Sequence, residues 1–339
     1  MTTLPLTTRS SDELVMLHDG EPVSIGRLIA RAAALAQQLP PGTAVVNLCQ
    51  DRHAFSVSFA AAIMAGGCNL LPANRLKATV DDLIDGFEGA VVVSDQPLEG
   101  FTGALIDPAE ALACDESAQH IPRIPAAQLA AVVFTSGSTG PSSRIEKPWR
   151  TLHDSSLLNL AQLDPPAGAH VLATVPPQHM WGLETSVLMP WFGPITVASA
   201  HPFFVADICR QLEQLEPPRM LISTPVHLRA LAESGIELPD VERIYSATAP
   251  LSRALARRIE RLSGAVVTEI YGCSETGCLA RRQTARDNDW QLFDAFALAP
   301  GSGGTLASAD HLPGPVRLMD QLELRARGRF RLRGRQSDL

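Results

Sequence analysis

Short apolar runs rich in β-branched residues alternate with helical patterns along most of the chain, and this alternation restricts the fold more than any other feature. Residues 43–48, 90–93, 129–134, 170–175, 195–198, 220–222, 243–245 and 265–270 read as strands. Residues 25–39, 54–66, 204–215 and 253–262 read as amphipathic or Ala-rich helices between them. Runs that are apolar without interruption suit strands covered on both faces, so an α/β fold is expected, with mostly parallel sheets and helices packed on them. In such sheets, ligand-binding loops belong at the carboxyl ends of the strands. Past residue 290 the texture changes. Gly and Pro punctuate the chain at 301–304 and 313–315, and residues 322–335 alternate small or apolar with charged residues. That pattern predicts a half-exposed hairpin turning near Arg327-Gly328.

With 339 residues, 45% of them apolar and 19% charged, the chain has enough material for two or three cores. A net charge of -8 repels nucleic acid and anionic membrane, so neither is expected as a partner. The six cysteines, Cys49, Cys68, Cys114, Cys209, Cys273 and Cys278, lie scattered in apolar surroundings with no metal-type spacing, as buried thiols in a reducing compartment would. No leader pattern opens the sequence, and no apolar stretch reaches the roughly 20 residues that span a bilayer. A cytoplasmic location is the simplest expectation.

Directly after the apolar run 129–134 comes Thr135-Ser-Gly-Ser-Thr-Gly140, followed by Pro141-Ser-Ser143. Glycines let backbone N–H groups converge on an anion, and hydroxyls donate further bonds, so a phosphate cradle fits this composition. An ordinary surface turn fits it equally on this stretch alone. The glycine spacing is not that of the common P-loop, and no nucleophile elbow is present. A second loop follows another apolar strand: Tyr271-Gly-Cys-Ser-Glu275, whose carboxylate can hold Mg2+.

Together, and in this order, the two loops resemble signatures of the adenylate-forming superfamily of acyl- and aryl-CoA synthetases, peptide-synthetase adenylation domains and luciferases. Three further segments strengthen the resemblance. Asp320, Gly328 and Gly334-Arg335 match the family's ribose-binding Asp, hairpin glycine and Gly-Arg hinge motif. Pro176-Pro-Gln-His-Met-Trp-Gly182 is similar to the segment that meets the carboxylate substrate, and Ser246-Ala-Thr-Ala-Pro250 to one that usually reads Gly-Gly-Ala-Pro and packs on adenine. The family fold is two α/β layered subdomains with a small β subdomain. Placed on this chain, it implies a first α/β subdomain over 1–120, a second over 121–290 with the phosphate loop and acid/AMP site, and a small β subdomain over 291–339.

The resemblance implies roles residue by residue. Thr135, Ser136, Gly137, Ser138, Thr139 and Gly140 would hold the β- and γ-phosphates of ATP. Where the family has Pro-Lys, Ser142-Ser143 stand, so Lys147, with Arg144 second, is the candidate for neutralising the triphosphate; the alternative for either is a solvated loop charge. Ser274 would donate to the α-phosphate and Glu275 would ligate Mg2+, the bland alternative being a Ser and a Glu capping a helix. Tyr271 and Gly272 would lie beside adenine with Thr248, Ala249 and Pro250. Asp320 would accept the ribose hydroxyls and Arg335 would reach ribose or phosphate. His179 and Trp181 are expected in the acid pocket on the strength of the motif, with Val226, Tyr245, Ser246 and Ala247 as further lining, although a lone buried His is more often structural. The arginines between 325 and 335 should share one strand face, either solvated or docking phosphopantetheine or an acidic carrier protein.

The activity implied is adenylation of a carboxylic acid by ATP and Mg2+, followed by transfer to the thiol of CoA or of an acyl carrier protein. The compact core resembles the small ligases of aryl polyene and related pigment clusters, which act on hydroxybenzoate-like acids; a medium-chain acyl acid is the other expectation. In the family a mobile C-terminal lid domain follows the Gly-Arg hinge, here at Ser337 or Asp338. The sequence ends at Leu339, so the chain is expected to be truncated before the lid and to bind without efficient turnover. The alternative is a weakened module that holds an acid, AMP or a carrier protein.

Overall fold

The computed structural model describes residues 2–135, 143–301 and 304–335. Its contacts divide the chain into two compact units: one takes residues 1–157 and 175–201, the other 158–174 and 202–339. Each unit is therefore built from two separate stretches of chain, an organisation that a linear division at 120 and 290 does not express.

In the first unit a sheet runs in the order Ser143–Pro148, Leu129–Thr135, Cys68–Leu71, Ala44–Asn47, Val91–Val93, Leu105–Ile106. All neighbours are parallel except Ser143–Pro148, which folds back antiparallel on Leu129–Thr135. Val46, Leu70, Val92 and Val132 are fully buried in one core on it, as uninterrupted apolar strands require. The helix Arg52–Met64 is buried along almost its whole length and starts where Asp51 accepts a hydrogen bond from the Ala54 amide. Buried Asn47 and Asn69 tie the sheet to it by donating to the carbonyls of Phe55 and Phe59 at 3.2 and 3.1 Å. A separate ribbon pairs Thr196–Ala198 in parallel with Leu14–His18, which turns back on Glu21–Ser24.

In the second unit the strand order is Asp320–Arg325, Arg329–Arg335, Trp290–Leu292, Gly277–Arg282, Val266–Cys273, Arg243–Ser246, Arg219–Ser223, His170–Ala173. The last four are parallel, and from Val266–Cys273 outward the pairing is antiparallel. The helix Arg253–Ser263 is amphipathic, capped by Ser252 at its start, and ended by Gly264 in the left-handed conformation at φ 69°. Ala297–Gly301, Gly304–Ser308 and Val316–Leu318 form a three-stranded antiparallel sheet of their own. The terminal hairpin turns through left-handed Arg327 and Gly328, at φ 62° and 66°. It pairs with Trp290–Leu292 and so continues the larger sheet. The strands and helices expected from the apolar runs are all present, with ends displaced by a few residues, and the fold is α/β as expected. Among the described residues no helix is long and apolar enough to cross a membrane.

Candidate nucleotide and acid sites

Val266–Cys273 leaves the parallel part of the second sheet and returns as Gly277–Arg282, with Ser274, Glu275 and Thr276 at the turn. No helix follows, so Ser274 and Glu275 are hairpin-turn residues and not helix caps. Gly272 is needed there, because a Cβ on it would meet the Gly277 carbonyl oxygen at 2.1 Å. The bulge between Tyr271 and Gly272 lets the backbone pass that closely. The Cys273 amide donates to Thr276 Oγ1 at 3.3 Å, which closes the turn and leaves Glu275 exposed at its tip.

Tyr271 and Asp320 meet although they are distant in sequence: the phenol donates to Asp320 Oδ2 at 2.8 Å. Behind the phenol, the Tyr271 ring packs at 5.6 Å from Trp290 and 5.7 Å from Phe330, both buried. The half-buried carboxylate thus has one oxygen fixed and its plane set by a packed aromatic cluster. Two motif residues expected at ribose and adenine are brought together by the pairing of hairpin and sheet.

The third expected segment, Ser246 to Pro250, follows the strand Arg243–Ser246. Thr248 adopts φ 79°, at a position where the resembling motif has glycine. For a β-branched residue this left-handed conformation costs about 1–2 kcal/mol. The segment is fastened just beyond it, where the Leu251 amide donates to Glu269 Oε1 at 2.9 Å. Glu269 is buried and also accepts from Thr284 Oγ1 at 2.5 Å and Arg282 Nε at 2.8 Å, so its charge is paired and its oxygens are occupied. Ser246 is fully buried and its hydroxyl has no hydrogen-bond partner among the described residues.

Tyr245, expected to line the acid pocket, points into the core. It is 1% exposed, and its hydroxyl donates to the Leu163 carbonyl at 2.8 Å. Burial raises its pKa to about 12. Val226, in contrast, is 71% exposed near the start of the helix Pro225–Glu233, and Ala247 is buried.

In the first unit Leu129–Thr135 leads up to the Ser/Thr/Gly loop and Ser143–Pro148 leads away from it. Ser136, Gly137, Ser138, Thr139 and Gly140 lie outside the described residues, as do Ser337 and Asp338; for Thr135 and Arg335 only the backbone is described. Strand alternation separates the two candidate cations. Arg144 is exposed, ion-paired with Glu146 at 2.8 Å and set over the Phe87 ring at 4.4 Å. Lys147 is on the other face, 2% exposed, with Ala131 as its strand partner. It stands four residues along the strand from Ser143, a distance of about 13 Å and longer than a lysine side chain. The described backbone therefore places Lys147 inside the first unit, away from the strand end that carries the loop.

The segment Pro176 to Gly182 folds back on itself. A Cβ at Gly182 would meet the Pro176 carbonyl oxygen at 2.0 Å, so only glycine permits the turn. It places Trp181 in the interior and His179 at the surface, where packing on its inner side desolvates the ring and lowers its pKa. A buried π-helical stretch, Leu183–Leu188, follows. Such turns often sit beside functional sites.

The sequence carried no local signal for two features of the first unit. Arg52 is fully buried, donates to the Val175 carbonyl at 3.2 Å and to Ser186 Oγ, and burial pushes its pKa down to about 10. His18, Asp51 and His53 converge in a group of metal-ligand type. The Arg31 guanidinium, however, donates to His53 Nε2 at 3.0 Å and already supplies a cation there. His53 is 1% exposed and its pKa is pushed down to about 3 by burial, then by His18 and Arg31.

The native state thus keeps His53 neutral while the unfolded chain protonates it near pH 6.5, so the stability it allows is full above pH 6.5 and is lost as pH falls. We expect the stability advantage of the wild type over His53→Gln to narrow by about 1.4 kcal/mol per pH unit between about pH 6 and pH 4. Urea unfolding at stepped pH reads this directly, and parallel profiles for the two proteins would rule it out.

The α/β scaffold and the order of the motifs along the chain are those of the adenylate-forming class. The sequence pattern of the AMP-binding enzyme family matches residues 27–296, and the chain belongs to that family. It is similar to the 4-coumarate–CoA ligase of Rhodobacter capsulatus, with 30% identity over 234 residues that cover 65% of this chain and 56% of that protein. It is also similar to the olefin beta-lactone synthetase of Stenotrophomonas maltophilia, with 29% identity over 196 residues, 56% of this chain and 34% of that protein. The chain thus spans only part of the length of the curated relatives it matches. Among solved structures, ATP-bound MatB from Rhodopseudomonas palustris superposes with a TM-score of 0.81 at 21% identity, over 97% of this chain and 76% of MatB. MenE from Bacillus subtilis, in complex with ATP and magnesium ion, gives 0.81 at 17% identity, over 100% of this chain and 81% of MenE. At such identities these two likenesses show the fold.

Proposed function

We propose that the chain uses ATP to adenylate a carboxylic acid, as part of an acid–thiol ligase. The observation that carries this reading is the Tyr271–Asp320 hydrogen bond, which holds a carboxylate in fixed orientation beside an aromatic ring and the Gly272 hairpin. A ribose diol needs such an acceptor, and an adenine needs such a flank.

In the second unit Asp320 would take the ribose and Tyr271, Gly272, Thr248, Ala249 and Pro250 the base. Ser274 would meet the α-phosphate, and the exposed Glu275 would hold Mg2+, which supplies charge neutralisation there. In the first unit residues 135–140 would take the outer phosphates, and His179 with Trp181 the acid. Ser246 and Ala247, both buried, are the second unit's acid-side candidates. The geometry asks for no protein nucleophile: the acid's carboxylate attacks the α-phosphorus and pyrophosphate leaves. CoA fits the thiol acceptor best, given the ligase relative. An aryl acid of the hydroxybenzoate kind is the favoured substrate class, and transfer to a carrier protein is the finer variant.

The test is thermal-shift and calorimetric titration of the chain with ATP, AMP and Mg2+, then acid-dependent pyrophosphate exchange across aryl and medium-chain acids. Nucleotide should raise the melting temperature, and exchange should depend on one acid class. If neither ATP nor AMP binds, the reading fails.

A further inference from the structure

We propose that the face of the second unit's sheet opposite Tyr271, Trp290 and Phe330 is a docking site for a short acidic segment of a partner protein. Side chains alternate across a sheet, so the register decides which residues share this face. Arg281 pairs with Gln291, Gln291 with Arg329 and Arg329 with Arg325, which sets three arginines and one amide in a single row across four strands. At about 4.8 Å per strand the row spans roughly 14 Å. Arg281, Gln291, Arg329 and Arg331 line a cleft of about 510 Å³ together with Asp289 and Thr268.

Of the carboxylates nearby, Asp289 and Glu323 are already committed, and Asp287, which also lines the cleft, is exposed. Asp289 pairs with Arg331 at 2.5 Å and lies 3.8 Å from Arg325. Glu323 pairs with Arg325 at 2.7 Å and also with Arg333. Arg281 and Arg329 have no carboxylate within 4.0 Å among the described residues, and Arg329 stands directly opposite Arg325. Like charges in register destabilise a sheet. On a chain of net charge -8, a merely solvated face has no reason to concentrate them. The buried rings on the other face prevent the strands from turning these arginines elsewhere.

The lining selects the occupant. It contains no aliphatic or aromatic side chain, so a nucleobase or acyl chain gains no burial there. A long nucleic acid would find no stacking partner and would meet an acidic protein beyond the row. A span of roughly 14 Å matches about four residues of extended chain or between two and three turns of helix, enough for two or three carboxylates. Arginine forks hold carboxylates bidentately and recur as interface anchors.

Anisotropy of a fluorescein-labelled decaglutamate peptide titrated with the full chain tests this without reference to adenylation. We expect saturable binding at low salt that weakens as salt rises. The double variant Arg281→Glu/Arg329→Glu should lose at least tenfold in affinity with an unchanged circular dichroism spectrum. Asp289→Asn, which releases Arg331, should bind more tightly than wild type. Absence of peptide binding, or equal binding by the double variant, overturns the proposal. So does tighter binding of pyrophosphate or a single-stranded RNA oligonucleotide that the double variant abolishes, since the site would then be one for phosphate.

Discussion

Asp320→Ala is expected to weaken AMP and ATP binding by about tenfold to a hundredfold while leaving the fold intact. Hydrogen bonds to a charged acceptor are worth about 1.5–3 kcal/mol, and each 1.4 kcal/mol is about a factor of ten. The carboxylate is half-buried at the sheet edge and its partner Tyr271 is held by packed rings, so removing it deletes an acceptor without opening a core cavity. Tyr271→Phe separates orientation from acceptance. It keeps the ring packing and removes only the hydroxyl that fixes Asp320 Oδ2, so its loss should be smaller, on the order of 1 kcal/mol. Calorimetric titration with AMP measures both. Unchanged AMP affinity in Asp320→Ala would remove the ribose role and with it the main support for the nucleotide reading.

The largest stability effect should come from Glu269→Ala. Taking one partner from a buried ion pair costs about 3–5 kcal/mol, because Arg282 keeps its charge in a largely buried place, stacked over Trp290 at 4.4 Å. The same change leaves the Leu251 amide and the Thr284 hydroxyl without their acceptor. We expect the urea midpoint to fall clearly, with Glu269→Gln losing less because an amide oxygen still accepts. Midpoints equal to wild type in Glu269→Ala would show that the pair is not part of the cooperative core. Since Glu269 also anchors the chain just past Pro250, the variant should loosen the segment proposed to flank adenine, and nucleotide affinity should drop in parallel.

Much of this architecture could be read from residue order. The parallel strands announce themselves because a strand covered on both faces must be apolar throughout, and the Tyr271 and Asp320 loops follow such strands or pair with them. Lys147 follows a rule that is local in the sequence. In Ser143-Arg-Ile-Glu-Lys147 strict alternation groups Lys147 with Ile145 and not with Arg144, which is the grouping the strand adopts. Tyr245 lies in a four-residue strand whose last three members are buried, so its place in the strand decides its fate more than its polar tip does. Glu269 and the His18–Asp51–His53 group had no comparable signal. Arg282 reaches Glu269 only through the register of the hairpin, and His18 reaches Asp51 and His53 only through the packed fold.

Thr248 retains a hydroxyl at a backbone position that glycine, or at some cost asparagine or aspartate, would occupy with less strain. The position is consequently narrow in what it tolerates. Glycine would relax the backbone and discard the hydroxyl, whereas serine would keep the hydroxyl and most of the strain. Valine would keep the shape, the strain and nothing polar. A full substitution series at this one residue would therefore order itself along two separate axes, melting temperature by backbone freedom and nucleotide affinity by the polar atom, and the distance between those two rankings measures what the strained threonine is retained to do.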